Sequence, residues 1–204
     1  LIKILIMIKE PLLMQHQEGA LNCDRYAQLE FIRLKELYNL QFAIETGTCL
    51  GYTTEFLCGV FEIVKTIEIN AKFLQIAKEN RLNQHSNCKV FFGDSAKDLS
   101  IMLENMSDKT FIFLDAHWGN HCPLKDELKQ IAESKIKPVI AIHDFKVPNN
   151  PQLGYDSIDG QPFTYEWLKS DINAIYGDNG YSIHYNSKST GADRGIIYIT
   201  PKIK

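Results

Sequence analysis

Apolar positions alternate between two periods almost from end to end of the chain. Ala27, Phe31, Leu34 and Tyr38 recur at i, i+4, i+7 and i+11 and so share one helical face. Asn22 or Asp24 is placed to cap this helix, which is expected to reach about residue 40. A short apolar strand at 42–44 runs into a glycine-containing turn, and a second helix is expected from Thr53 or Thr54 to residue 60. The unit then repeats. Residues 63–69 read as a strand, and Asn70 caps a helix to residue 80 with Phe73, Ile76, Ala77 and Asn80 on one face. Residues 89–92 form the next strand, and Asp94 or Ser95 caps a helix to about residue 105. A strand at 110–114 follows, then a loop and a helix with Pro123 at its first position. Asp126 and Glu127 suit the positive end of that helix's dipole. Pro138 introduces a strand at 139–142.

Five strands separated by helices predict an α/β fold, a Rossmann-like doubly wound sheet, mostly parallel, with both faces covered. Such strands are expected to be continuously apolar, and these read so. Residues 145–162 are rich in Pro, Asn, Gly and Asp and read as a long loop, a feature more often functional than accidental in a compact domain. A helix at 163–176 and strands at 181–185 and 195–199 complete the pattern. The 186–194 connection reads as a hairpin loop, so the last two strands are expected to be antiparallel.

The 204 residues, 45% hydrophobic and 23% charged, suit one globular domain with a sizeable core. Within it we expect an N-terminal extension at 1–22, a ligand-binding core at 40–145, and a loop, helix and hairpin at 146–204. The apolar run at 1–8, broken by Lys3, is too short to span a bilayer and lacks a small-residue cleavage site. It reads as a segment packed on the domain edge, with a membrane-associating stub as the lesser alternative. Lys plus Arg total 22 against 25 for Asp plus Glu, a net charge of −3, which leaves no basic footprint for nucleic acid. The five cysteines (Cys23, Cys49, Cys58, Cys88 and Cys122) are scattered and form no CxxC pair, so a reducing, cytoplasmic setting is expected. Nothing in the pattern indicates an oligomer.

The candidate chemistry lies at the strand ends. Ligands of open α/β sheets bind beyond the carboxyl ends of the strands. The first strand runs into acid-x-Gly-x-x-x-Gly, formed by Glu45, Gly47 and Gly51. Cys49 and Tyr52 stand where a dinucleotide GxGxxG would need glycine, and Tyr52 stands where a P-loop would need lysine. Glycines there would let the backbone approach a ligand closely. Glu68, at the second strand end, is placed to accept both hydroxyls of a ribose. Asp94, at the third, is placed to reach an adenine amino group.

In this ordered set, over residues 40–145, the chain resembles the class I S-adenosylmethionine-dependent methyltransferases. The pieces that carry the resemblance are Glu45 with Gly47 and Gly51, then Glu68, then Gly93, Asp94 and Ser95, then Asp115. It implies that Glu45 and the turn with Gly47, Thr48 and Gly51 hold the methionine part of the cofactor, Glu68 the ribose and Asp94 the adenine. Ser95 and Asp115 complete the implied cofactor set. It also implies a seven-stranded sheet whose last strand is antiparallel.

Two further strand ends bring Asp115 with His117, and His143 with Asp144, to the same edge. Methyl transfer to a hydroxyl needs an aligned acceptor and a way to remove its proton. A neutral imidazole serves near neutral pH, which makes His117 and His143, with Asp144, candidate catalytic residues. Alternatively Asp115, Asp144 and His143 would hold Mg2+ or Mn2+ and lower the pKa of a bound hydroxyl. His117, His121 and Cys122 raise zinc as a further option, but Gly119 and Pro123 put that stretch in a loop. The Asp-x-His spacing and the His-Asp pair resemble the sugar and small-molecule O-methyltransferases, including the rhamnosyl O-methyltransferase and cephalosporin-hydroxylase-like group. Some members of that group are metal-dependent, and they more often have an acid where His143 stands.

Nucleic-acid amino methyltransferases usually carry Asn/Asp-Pro-Pro-Tyr/Phe after the fourth strand, whereas Asp115 is followed here by Ala116, His117 and Trp118. The expected acceptor is therefore a small hydroxylated molecule such as a sugar, with neither nucleic acid nor membrane as partner. Tyr155, Asp156 and Asp159 would hydrogen-bond it, and Arg194 would pair with an acceptor carboxylate or phosphate. The competing expectations are a non-catalytic nucleoside-binding domain and another reaction on the same scaffold.

Overall fold

In the computed structural model, residues 19–202 are described. The apolar run at 1–8 lies outside them. A short 3-10 turn, Ala20–Cys23, precedes the first helix, and its Leu21, Asn22 and Cys23 all have left-handed φ. Helix α1 (Arg25–Tyr38) starts at Asp24, whose carboxylate accepts from the amides of Tyr26 and Ala27; Asn22 plays no part in that cap. Strand β1 (Phe42–Thr46) leads through the glycine turn to α2 (Tyr52–Val60), then β2 (Ile63–Glu68). Asn70 caps α3 (Ala71–Asn80) through the amides of Lys72 and Phe73. The face of α3 that packs inward carries Leu74 and Ala77, while Asn80, expected inward, is exposed. Strand β3 (Cys88–Phe92), α4 (Ser95–Leu103), β4 (Thr110–Leu114), α5 (Leu124–Ser134) and β5 (Val139–Ile142) follow. Pro123 is the N-cap of α5, one residue before the position expected.

The expected long loop contains a small hairpin, β6 (Ser157–Ile158) with β7 (Gln161–Pro162). Helix α6 (Tyr165–Tyr176) and strands β8 (Tyr181–Tyr185) and β9 (Ile197–Pro201) complete the described fold. The main sheet has seven strands in the order β3-β2-β1-β4-β5-β9-β8. The first five are parallel, and β9 is antiparallel to both β5 and β8.

Helices α1 and α2 bury Phe31, Leu34 and Leu57 on one face against Phe111, Phe113 and Tyr198. On the other face, α4, α5 and α6 bury Leu99, Leu128 and Ile172 against Ile112, Ile140 and Ile199. The expectation of continuously apolar strands holds for β4 and β5, which are buried at every position. It fails at β3, the sheet edge, where Phe92 is 66% exposed. It fails also at Lys65 in β2. That side chain is buried, and its Nζ donates to the carbonyls of Met102 (2.7 Å) and Glu104 (3.0 Å), at the negative end of α4.

Register positions the site. Thr46 lies opposite Ile67 and Leu114, Leu114 opposite Ile142, and Glu68 opposite Phe92. The strands therefore end level, and Gly47, Glu68, Gly93, Asp115 and His143 emerge along one edge.

Candidate active site

A cavity of about 410 Å³ opens along that edge. The 47–51 turn, Glu68, Asp94 and Ser95 line one part; Asp115, His117, His143 and Asp144 line the other. Gly47 has φ +85°, and a Cβ there would lie 2.4 Å from the carbonyl oxygen of Asp115. Glycine at 47 thus serves the close packing of two strand ends as well as the backbone lining of the cavity.

Glu45 is a correction to the sequence reading. It is not among the cavity-lining residues but sits behind the turn, 1% exposed. Its Oε2 accepts from the hydroxyls of Thr54 and Thr66 (2.6 Å for Thr66), and Thr66 contacts the Thr48 hydroxyl at 2.6 Å. Burial pushes its carboxyl up to about 8. Glu45 braces the first turn of α2 from beneath.

Glu68 is oriented by the Cys49 amide on Oε2 (2.7 Å) and the Asn70 amide on Oε1 (2.8 Å). Burial raises its pKa, and those amide donors only partly oppose the rise. Each carboxylate oxygen keeps a second lone pair for a ligand hydroxyl. Asp94 caps α4 through the Ala96 amide and stands 3.3 Å from Lys97 Nζ and 3.4 Å from His121 Nε2. His121 belongs to a tight turn at 118–121, which carries the half-exposed Trp118 to the cavity rim. The thiol of Cys49 also lines the cavity, but burial and then the Glu68 charge push its pKa up to about 12, which excludes a thiolate nucleophile at neutral pH.

The acid–histidine cluster is compact. His143 Nδ1 lies 3.4 Å from Asp115 Oδ1 and 3.2 Å from Asp144 Oδ2, and His117 Nε2 lies 3.3 Å from the same Asp144 oxygen. Both histidines are buried. Burial alone would lower the pKa of His143, but the carboxylates of Asp144 and Asp115 outweigh it and hold it well above the ordinary imidazole value. His117 is raised for the same reason, with its hydrogen bond to Asp144 the main opponent of burial. Asp144 is held well below the usual carboxylate range, because the positive His143 and the two histidine contacts overcome its own burial. His143 thus lies between two carboxylates that favour its protonated form.

Arg194 is a second correction. It donates Nε to Asp144 Oδ1 and Nη2 to Asp156 Oδ1, so its guanidinium is engaged by two acids of this chain rather than directed at an acceptor. Asp156 is likewise committed to Arg194. Tyr155 is exposed, with Lys146 Nζ 5.2 Å from its ring centroid, and Asp159 sits in the β6–β7 turn with φ 50°.

Among the described residues, one set of His, Cys, Asp and Glu can share a metal ion: Asp115, His117 and Asp144, each offering one atom, all within 4.8 Å of one another. His117 takes the place expected for His143, and the His117, His121 and Cys122 grouping does not form. Two oxygens and one imidazole nitrogen suit Mg2+ or Mn2+.

Sequence reasoning missed several lining residues: Gly19, Leu21 and Asn22 of the N-terminal turn, and Ile69 and Phe73. Leu21 is fixed there by its amide on the Thr53 hydroxyl at 2.9 Å. No motif marks these residues; Gly19, Leu21 and Asn22 reach the cavity because the N-terminal turn packs against α2, and Ile69 and Phe73 because they follow the end of β2.

No family model and no curated protein matches the chain. Its fold is shared with many solved structures. The O-methyltransferase TomG from Streptomyces achromogenes, solved in complex with SAM, is 16% identical, with a TM-score of 0.63 over 87% of this chain and 80% of that one. The O-methyltransferase from Bacillus cereus in complex with SAH is 23% identical, with a TM-score of 0.59 over 87% and 81%. Precorrin 8w decarboxylase from Methanobacterium thermoautotrophicum is 16% identical, with a TM-score of 0.53 over 88% and 90%. At these identities the likeness establishes the fold alone, a Rossmann-like seven-stranded sheet.

Proposed function

We propose that the protein transfers the methyl group of S-adenosylmethionine to a hydroxyl of a small acceptor, a sugar being the class that best suits the rim. One observation carries the reading. One cavity is lined by a glycine turn, by two strand-end acids, Glu68 and Asp94, and by a buried acid–histidine cluster. The shared fold with O-methyltransferases bound to SAM and SAH supports it.

S-adenosylmethionine, when bound, supplies the activated methyl group. The residues of this chain do the rest. The backbone of the 47–51 turn and Thr48 lie against the methionine part, Glu68 accepts from the ribose, and Asp94 and Ser95 bound the adenine. Asp115 sits where the two parts of the cavity meet. Burial of the cluster excludes water from the acceptor hydroxyl and strengthens each electrostatic contact. The acceptor's proton passes to His117 Nε2 as that hydroxyl takes the place of Asp144, while Asp144, Asp115 and His143 fix the local field. Trp118 at the rim offers an apolar ring to a sugar face.

A second mode is favoured by the convergence of Asp115, His117 and Asp144. These residues would hold Mg2+ or Mn2+, which would lower the pKa of the acceptor hydroxyl.

Calorimetry with S-adenosylmethionine and S-adenosylhomocysteine tests the reading. Micromolar binding is expected, and no binding of either at high micromolar concentration overturns it. A labelled-methyl screen against hydroxylated acceptors, with and without chelator, then separates the modes. Transfer that survives chelation assigns the proton to His117; transfer restored only by Mg2+ or Mn2+ assigns it to the cation site.

A further inference from the structure

Behind the cavity lies a carboxyl that the proposed chemistry does not use. Glu127, in the first turn of α5, is 0% exposed, and both of its oxygens lack a hydrogen-bond partner. The hydroxyl of Thr46, at the end of β1, is buried and unpartnered too, as is His117 Nδ1. Glu127 lies against the hydroxyls of Thr46 and Ser95 without meeting hydrogen-bond geometry, and the charge of His117 acts on it. Burial pushes its carboxyl up to about 7.

An orphaned buried carboxyl costs stability, and such exceptions concentrate at functional sites. A buried water is typically held by about three polar groups that have no other partner. The Glu127 carboxyl, the Thr46 hydroxyl and His117 Nδ1 are three such groups.

We propose that Glu127 is a positioning residue for His117, accepting the Nδ1 proton through a buried water shared with the Thr46 hydroxyl. The other ring nitrogen, Nε2, is then left to face Asp144 and the cavity. When Nε2 takes a proton from the acceptor, the ring becomes an imidazolium whose Nδ1–H needs an acceptor, and Glu127 supplies it. When Nε2 instead binds a cation, the proton must sit on Nδ1, and the same partner serves. The arrangement of base and orienting acid follows the logic of hydrolase triads on an unrelated scaffold. The catalytic part of this inference rests on the methyl-transfer reading; the Glu127–His117 link does not.

The test is a 15N–1H spectrum of the histidine rings, with His117 assigned by its loss in His117→Gln. The unaltered protein is expected to show a protonated, slowly exchanging Nδ1. That signal is expected to be lost in Glu127→Ala and kept in Glu127→Gln, whose side-chain carbonyl still accepts. A bare Nδ1 in the unaltered protein overturns the proposal even if the alanine variant fails to fold. So does an Nδ1 signal unchanged in a folded Glu127→Ala. Kinetics give the second readout: kcat is expected to fall about 10- to 100-fold in Glu127→Ala with KM for S-adenosylmethionine unchanged, and to recover in Glu127→Gln. A variant that loses only stability overturns the positioning role. A protein that binds no S-adenosylmethionine yet shows the protonated Nδ1 refutes the function proposed above and leaves this link standing.

Discussion

Arg194 donates its Nε proton to Oδ1 of Asp144, tying the loop between the last two strands to the end of β5. The pair matters because Asp144 has φ 55°, a left-handed backbone that is uncommon for a residue with a side chain. The main-chain amide of Asp156 also donates to the Asp144 carbonyl at 2.9 Å. The Arg194 guanidinium thus holds the Asp144 carboxylate, and the Asp156 amide its backbone, at the cavity. Arg194→Ala is expected to destabilise the fold by about 2–3 kcal/mol, below the range for a fully buried pair because the guanidinium is partly exposed. Urea denaturation measures it. In an Arg194→Ala, Asp144→Asn double variant part of the loss should return; strict additivity would show that the pair is not coupled.

Glu45 sets a pH dependence. Its folded pKa is about 8 against 4.5 for the free side chain, so the folded state holds a proton that the unfolded state releases. Its contribution to stability is complete below pH 4.5 and is lost progressively as pH rises to about 8. Glu45→Gln keeps a carbonyl for Thr54 and Thr66 and carries no proton to lose. It should match the unaltered protein near pH 4.5 and exceed it at pH 8 by up to roughly 3–4 kcal/mol. Thermal unfolding from pH 4.5 to 8 reads the divergence; parallel curves would refute a buried neutral Glu45.

Gly47→Ala should disturb the join between the two parts of the cavity. The substitution forces a left-handed backbone and drives a Cβ against the Asp115 carbonyl. A loss of about 2–4 kcal/mol is expected, with weakened S-adenosylmethionine binding in calorimetry. Gly160 has a similar φ, but a Cβ there would meet nothing within 4 Å, so Gly160→Ala should lose only the backbone part and keep its binding.

Asp24 joins two ends of the structure. Its carboxylate caps α1 and also accepts from the Ser189 hydroxyl (2.8 Å) and the Thr190 amide (3.2 Å) of the hairpin loop. Asp24→Ala removes a cap and two long-range hydrogen bonds, about 2–3 kcal/mol together. Asp24→Asn should keep the cap and most of the stability. Chemical denaturation compares them, and faster amide exchange at Thr190 in the alanine variant would localise the loss.

Much of the sheet was legible because the ends of β1, β2 and β3 are followed by a glycine or a capping residue, and strand pairing then places those ends on one edge. Asn70, Asp94 and Pro138 mark boundaries the structure keeps within a residue or two. What residue type alone misplaced was orientation. Glu45 and Glu68 are both acids near strand ends, but Glu45 lies within β1 and faces its neighbours' hydroxyls, while Glu68 ends β2 and opens to the cavity. Arg194 reads as a free cation because its partners, Asp144 and Asp156, are 50 and 38 residues away. Glu127 carried a usable signal. Leu124, Leu128 and Ile131 form the buried stripe of α5, and Glu127 falls within that stripe, although its place in the first turn suggested a role with the helix dipole.

The position of β9 bears on how the chain is made. This strand is synthesised last among those described, yet it lies between β5 and β8 and bonds to both. While β9 is still inside the ribosome, β5 has an unpaired apolar edge and β8 has no partner. Asp144 at that stage also lacks Arg194. The cofactor side, β1 to β3 with their helices, can assemble as it emerges; the acceptor side must wait for β9 to emerge. Vectorial synthesis would thus complete the binding half of the site before the half that holds the acid–histidine cluster, and leave β5 as the edge most in need of a chaperone.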